Sequence, residues 1–196
     1  MTTLSQTRTR LRALRRAVPA VERSACARAV TRHVARSISL RAGARIALYA
    51  ALPEELDTSP LLAWAHSRGH ETYLPRIVDR RRCLMKFCRI DTVLAPGPHG
   101  IREPGGERCL APRWLDAVFL PLVGFDVRGA RLGMGRGYYD RALAFRHTRR
   151  VWRGPLLVGL AYGFQRVPHL DDQPHDVHLD AIVTEHGLVR FERGLA

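Results

Sequence analysis

Apolar positions near the start of the chain recur at helical spacing. Leu11, Leu14, Val18, Val21 and Ala25 fall three and four residues apart and predict one apolar stripe. Pro19 suits the first turn of a new helix, so the pattern predicts two helices parted near Val18. From residue 44 the period changes. The run ARIALYAAL (44–52) is nearly unbroken apolar sequence after Gly43 and predicts a strand buried on both faces. Asp57, Thr58, Ser59 and Pro60 then start a helix over LLAWAHSRG, stopped by Gly69.

Strands are predicted at HETYLP (70–75), at RCLMKFCRI (82–90) after the polar turn VDRRR, and at DAVFLPLV (116–123). The proline- and glycine-dense stretch from Ala95 to Pro112 reads as an ordered loop. A helix follows over GYYDRALAFRH (137–147), and LLVGLAY (156–162) and DAIVTEHG (180–187) close the chain as strands. Strand and helix alternate with short links and no repeat or linker intervenes. The expectation is therefore one α/β domain over residues 1–196, a mostly parallel sheet flanked by helices with an N-terminal helical segment.

Composition adds a setting. The 196 residues carry a net charge of +14, and all but one of the 32 basic residues are arginine, Lys86 being the exception. Such a balance favours anionic partners such as phosphates, polycarboxylates or nucleic acid. Cys26, Cys83, Cys88 and Cys109 form no metal-like pair, which predicts free thiols in a reducing compartment. The start MTTLSQTRTR lacks the apolar core of a secretory signal, and no run reaches the length of a membrane span. These features predict a cytoplasmic protein with no membrane association.

Chemistry concentrates in FDVRGARLGMGRGYYDRAL (125–143), which follows an apolar strand and precedes a helix. Gly133, Gly135 and Gly137 alternate with Met134 and Arg136, removing side chains where backbone must approach a ligand or take positive φ. Such a turn offers backbone N–H groups to an anion, and Arg131, Arg136 and Arg141 add planar cationic donors. It is neither a P-loop, lacking GK[ST], nor a GxGxxG fingerprint. Tyr138 and Tyr139 present flat faces to an aromatic ligand, and Asp140 can hold Mg²⁺ beside a phosphate. On the first helix, Arg8, Arg12 and Arg15 stack at i, i+4 and i+7; periodicity alone reads them as a solvated face. His175 and His178 flank Asp176 without a third partner of metal-like spacing, and Trp64 and Trp114 read as core or pocket-wall residues.

The segment RLGMGRGYYDR (131–141), with PLVGFD upstream, resembles the signature of the 5-formyltetrahydrofolate cyclo-ligase family, also called 5,10-methenyltetrahydrofolate synthetases. The arginine helix, EELDTSPLL, YLPR, MKF, GIREP and PHDVHLDAIVTE stand in that family's order, so the resemblance spans nearly the whole chain. It implies conversion of 5-formyltetrahydrofolate to 5,10-methenyltetrahydrofolate with MgATP, releasing ADP and phosphate. Carried over, Leu4, Ser5, Gln6, Thr7 and Arg8 form one ATP contact and Leu132, Gly133, Met134, Gly135, Arg136 and Gly137 cradle the phosphates. Tyr138, Tyr139 and Asp140 complete the ATP site. Arg131, Arg136 and Tyr139 act in catalysis, and Asp140 and Asp176 hold magnesium.

Glu55 takes the place of the folate-binding carboxylate, Ala50 is a second substrate contact, and Tyr73, Met85, Phe87 and Tyr138 line the pterin pocket. A polyglutamylated folate is an allowed substrate, the chain is expected to act as a monomer, and no nucleic-acid partner is expected. Leu4 stands where many members have lysine, Met134 replaces a common arginine, Arg136 replaces glycine or lysine, and Gly100 stands where some carry tryptophan. These departures bear on ATP affinity and keep open a same-fold paralogue acting on another nucleotide-linked substrate. The net charge keeps open, more distantly, a nucleic-acid-binding protein. A structure that brings Arg8, Glu55, Arg136 and Asp140 around one cleft would support the cyclo-ligase reading.

Overall fold

The structure is a computed structural model that describes residues 3–90, 94–97, 102–148 and 154–192. In chain order its elements are α1 (Leu4–Ala17), α2 (Ala20–Ser37), β1 (Arg45–Ala47), α3 (Ser59–Ser67), β2 (Glu71–Asp79), β3 (Leu84–Arg89), β4 (Leu94–Pro96), β5 (Arg102–Pro104), β6 (Cys109–Leu110), β7 (Ala117–Pro121), β8 (Gly124–Phe125), β9 (Arg131–Leu132), α4 (Tyr138–Leu143), α5 (Phe145–Thr148), β10 (Leu156–Leu160), β11 (Ala181–Thr184) and β12 (Gly187–Arg190).

Eight strands form one sheet in the order β12-β11-β10-β7-β1-β2-β3-β6. Its centre, β11-β10-β7-β1-β2, is parallel, and antiparallel partners close both edges. The mostly parallel α/β architecture expected from the alternation of elements is the one observed. Along β7, Ala117 and Phe119 face the cluster under α2 and α3, whereas Val118 and Leu120 face the cluster under α4. Burial on both faces is why these strands read as unbroken apolar runs.

Several expectations are corrected. The break between the helices falls at Val18 as predicted, but Pro19 is the N-cap of α2, outside its first turn. Both residues are in extended backbone, so the helical phase does not carry across. Leu11 and Val18 are therefore buried, while Leu14 is 43% and Val21 82% exposed and Ala25 is also exposed. The second helix instead buries Cys26, Ala27, Val30 and Val34. The run 44–52 contributes only a three-residue strand. The stretch 95–112 carries parts of β4, β5 and β6 rather than loop alone, the helix over 137–147 divides into α4 and α5, and β12 adds an unforeseen antiparallel edge.

The cysteines also depart from expectation. Cys88 on β3 lies opposite Cys109 on β6, and the two are bonded as a disulfide. Antiparallel pairing brings together residues 21 apart in sequence, a relation that spacing rules for metal pairs do not register. Cys26 and Cys83 are free. The disulfide removes the cysteine-based ground for a reducing compartment. Among the described residues no helix is long and apolar enough to cross a membrane.

From β1 the chain steps to β2 on one side and then returns to β7 on the other. In open parallel sheets such a reversal leaves a crevice beyond the carboxyl ends of the diverging strands.

Candidate functional site

That crevice is a cavity of about 1020 Å³. The chain after β1 supplies Tyr49, Ala50, Leu52 and Glu55, and the end of β7 supplies Pro121 and Leu122. Over it lie Leu4, Arg8 and Arg12 of α1, residues 131–141, and Asp176 from the segment before β11. One wall is cationic and rich in glycine; the other is apolar around a carboxylate.

The glycine loop is held from below. Asp126, fully buried between β8 and β9, accepts N–H bonds from Arg128, Ala130 and Leu170 and pairs with the Arg128 guanidinium at 2.9 Å. This ties the hairpin to the segment that carries Asp176, and Arg128 reinforces the tie through Leu170 O and Asp172. Leu11 of α1 packs with Val123, Ala130 and Leu132, so the helix rests on the hairpin. Gly124 permits this approach, because a Cβ there would lie 2.8 Å from Leu11 Cδ1.

Within the loop, Gly135 (φ +91°) and Gly137 (φ +68°) take backbone conformations that side chains disfavour. Arg8 donates from Nε to Gly133 O at 2.9 Å, and its guanidinium passes 3.8 Å from where a Gly135 Cβ would stand. The arginine thus lies directly along the loop. With six residues, α4 is too short to supply a strong dipole, so anion attraction falls to Arg8, Arg12, the exposed Arg136 and the loop N–H groups.

Asp140 marks the next turn of the wall. Its Oδ1 accepts from Arg131 Nη2 at 2.7 Å and from the Val177 N–H at 3.2 Å, and Arg131 Nη1 donates to Val177 O at 2.7 Å. Burial pulls the Arg131 pKa down and the neighbouring Asp140 opposes it. Arg131 is thereby committed to holding Asp140 through Oδ1. Asp176 accepts from the Gln173 N–H at 2.8 Å and also lines the cavity. Two carboxylates beside a phosphate-sized cationic loop fit Mg²⁺, which binds through one or two carboxylates plus substrate oxygens. Among the described residues no group of three potential ligands forms an all-protein metal cage. His178 bonds Asp172 at 2.6 Å instead, and His175 is exposed.

At the opposite end, Glu55 is buried and its Oε2 accepts from the Leu52 N–H at 3.0 Å. Burial raises its pKa, while that hydrogen bond and Arg15 act against the rise. Arg15 is only 1% exposed; it donates to Leu122 O at 3.0 Å and stands 3.9 Å from Glu55 and 3.8 Å from Glu54. The row Arg8, Arg12, Arg15 is therefore turned inward, which overturns the solvated-face reading. Burial also drives the Tyr139 hydroxyl pKa far up, keeping it a neutral donor. The Tyr138 hydroxyl is buried without a hydrogen-bond partner among the described residues.

Of the residues singled out in the sequence, Leu4, Arg8, Ala50, Glu55, Met85, Asp176 and all of 131–140 line this one cavity. Leu4 also packs beside the Leu11 cluster. Ser5, Gln6, Thr7, Tyr73 and Phe87 do not line it. Gln6 completes the capping box of α1, and the Tyr73 hydroxyl donates to Glu71 at 2.8 Å. Phe87 is fully buried and backs Tyr139, their rings 6.4 Å apart. Gly100 lies outside the described residues. Trp64 packs against the core as expected, whereas Trp114 is 55% exposed with Arg113 over its ring. Sequence reasoning missed the inward roles of Arg12 and Arg15, the partner Glu54 and the buried organiser Asp126. An arginine repeating at helical spacing opposite a Glu-Glu pair was the available signal.

Residues 1–185 match the 5-formyltetrahydrofolate cyclo-ligase family. A 5-formyltetrahydrofolate cyclo-ligase of Haemophilus influenzae is 34% identical over 180 residues, covering 89% of this chain and 93% of that protein. The mouse protein of that name is 28% identical over 179 residues, covering 87% of each. Among solved structures, the 5,10-methenyltetrahydrofolate synthetase of Aquifex aeolicus superposes with a TM-score of 0.81 at 28% identity, covering 98% of this chain and 95% of its own.

Proposed function

The chain belongs to the 5-formyltetrahydrofolate cyclo-ligase family, and on that premise we propose that it uses MgATP to close 5-formyltetrahydrofolate into 5,10-methenyltetrahydrofolate. One observation carries this reading: Arg8, Arg136, Asp140 and Glu55, distant in sequence, line a single cavity. Ligand pockets usually run about 300–1,000 Å³, so a cavity at the top of that range suits two co-substrates.

The chemistry needs positioning and charge more than a protein nucleophile. A formamide oxygen is a poor leaving group. Attack of that oxygen on the γ-phosphorus breaks the bond to ADP and turns the oxygen into part of a phosphate ester. N10 then attacks the activated carbon, phosphate departs with the former formyl oxygen, and the N10 proton is released. Arg8, Arg136 and the N–H groups of 133–137 would hold the phosphates, with Arg131 aligning Asp140. Glu55 would accept from pterin N–H groups, and the apolar walls at Ala50 and Met85 would exclude water. Asp140 and Asp176 would hold Mg²⁺, which supplies neutralisation of phosphate charge.

Leu4 carries no charge to the phosphates, so that load would fall to the arginines of the cleft and the loop N–H groups. The carboxylate at Glu55 fits the N–H donors of a pterin, which supports the folate reading over a same-fold paralogue acting on another nucleotide-linked substrate. Incubation with 5-formyltetrahydrofolate, ATP and Mg²⁺ should build the absorbance of the methenyl product, and chelation should stop it. A folded sample without turnover, or with equal turnover lacking ATP, overturns the reading.

A further inference from the structure

We propose that Arg12 is a further catalytic residue of this cleft, its guanidinium holding the phosphoryl group in transit from nucleotide to formyl oxygen. The inference rests on the ATP-dependent reading above.

Position argues first. Arg8 lies on the glycine loop through Gly133 O, and Arg15, two turns on, faces Glu55. Arg12 lies between them on the same side of α1 and lines the cavity. At the rise of an α-helix it stands about 6 Å beyond Arg8 along the axis. A phosphate chain seated at the loop and a pterin held at Glu55 must meet in that interval.

Donor accounting argues second. Arg12 Nε is buried and has no hydrogen-bond partner among the described residues. Its Nη2 stands 3.8 Å from Glu54 Oε1, a charge contact too long for a hydrogen bond. Of the neighbouring guanidinium groups, Arg131 is engaged with Asp140 and Val177 O and Arg141 with Arg136 O. Arg15 donates from Nη1 to Leu122 O; its Nε and Nη2 also have no hydrogen-bond partner among the described residues, but it is sealed off at 1% exposure and does not line the cavity. Arg12 thus brings a planar cationic fork to the meeting point with its protein partner held only loosely.

In the transfer step the formyl oxygen supplies the electron pair that forms the new P–O bond, and the pair of the breaking bond leaves on ADP. The Arg12 guanidinium neutralises the charge spread over the equatorial oxygens, as arginine does in other phosphoryl transfers. Glu54 keeps the side chain near this position before the nucleotide binds.

The test compares wild type with Arg12→Ala, Arg12→Lys and, as a control on the exposed face of α1, Arg10→Gln. Methenyl formation is followed by absorbance and folding by thermal melting. Arg12→Ala should lose about 10²- to 10³-fold in kcat with the KM for ATP little changed. Arg12→Lys should recover only part of the loss, because an ammonium lacks the fork, and added guanidinium should raise the rate of Arg12→Ala. Arg10→Gln should match wild type. A folded Arg12→Ala with kcat within about threefold of wild type, or with a raised KM for ATP at unchanged kcat, overturns the assignment. A wild type that does not turn over sinks the cyclo-ligase reading and this one together. A wild type that works while Arg12→Ala also works sinks this one alone.

Discussion

Glu55 shows how one buried side chain couples binding to pH. Its burial raises the pKa, and the Leu52 N–H and Arg15 oppose but do not cancel that rise. If the ionised form accepts from pterin N–H groups, kcat/KM for the folate must fall as pH drops through a value above the ordinary glutamate pKa of about 4.3. The folded protein binds this proton more tightly than the unfolded chain does. The same ionisation therefore lowers stability as pH rises through that raised pKa, opposite to the usual carboxylate. Glu55→Gln should cut kcat/KM by roughly 10²-fold or more and abolish the acid limb. A pH–rate profile of the variant with the limb intact would assign it to another group. Glu55 was legible in the sequence only through family resemblance, since PEELD has no chemistry of its own until Arg15 is folded against it.

At the scale of elements, the site depends on α1 lying on the β8–β9 hairpin. Leu11 is fully buried there, and Gly124 leaves no room for a Cβ. Gly124→Ala should lift the helix, moving Arg8 off Gly133 O. Overpacking of this kind costs about 1–3 kcal/mol. A lower Tm and a raised KM for ATP are expected, and a Tm and KM matching wild type would show that the contact does not position Arg8. The alternation of elements made the parallel sheet readable, because both-face burial leaves continuous apolar runs in β7, β10 and β11. The glycine loop was readable because its backbone demands particular residues at particular places. The arginine row was not. Whether a helical charge stripe faces solvent or a cleft depends on what the hairpin 90 or more residues later places against it, and the extended backbone at Val18 and Pro19 hid the phase change from the periodicity. Cross-strand pairing of Cys88 with Cys109 was likewise beyond any spacing rule.

Across the whole molecule, the net charge of +14 divides into parts with different consequences. Arg8, Arg12 and Arg136 line the cleft and Arg131 and Arg15 brace its walls, whereas Arg28, Arg32 and Arg36 on α2 are exposed. The disulfide secures the β6 edge by closing a segment of 21 residues, a constraint worth about 3 kcal/mol in chain-entropy terms. Replacing Cys88 and Cys109 together by alanine should lower Tm by roughly 6–12 °C in a protein of this size. Methenyl formation at 25 °C should persist, since Phe87 stays packed behind Tyr139 through the core. An unchanged Tm would mean the crosslink does not hold that edge. The central claim, that this cavity activates the formyl oxygen by phosphorylation, is tested most directly by isotope. With substrate labelled by oxygen-18 in the formyl group, the inorganic phosphate released with the methenyl product should carry the label. Unlabelled phosphate, with the label recovered in water or formate, would contradict the account.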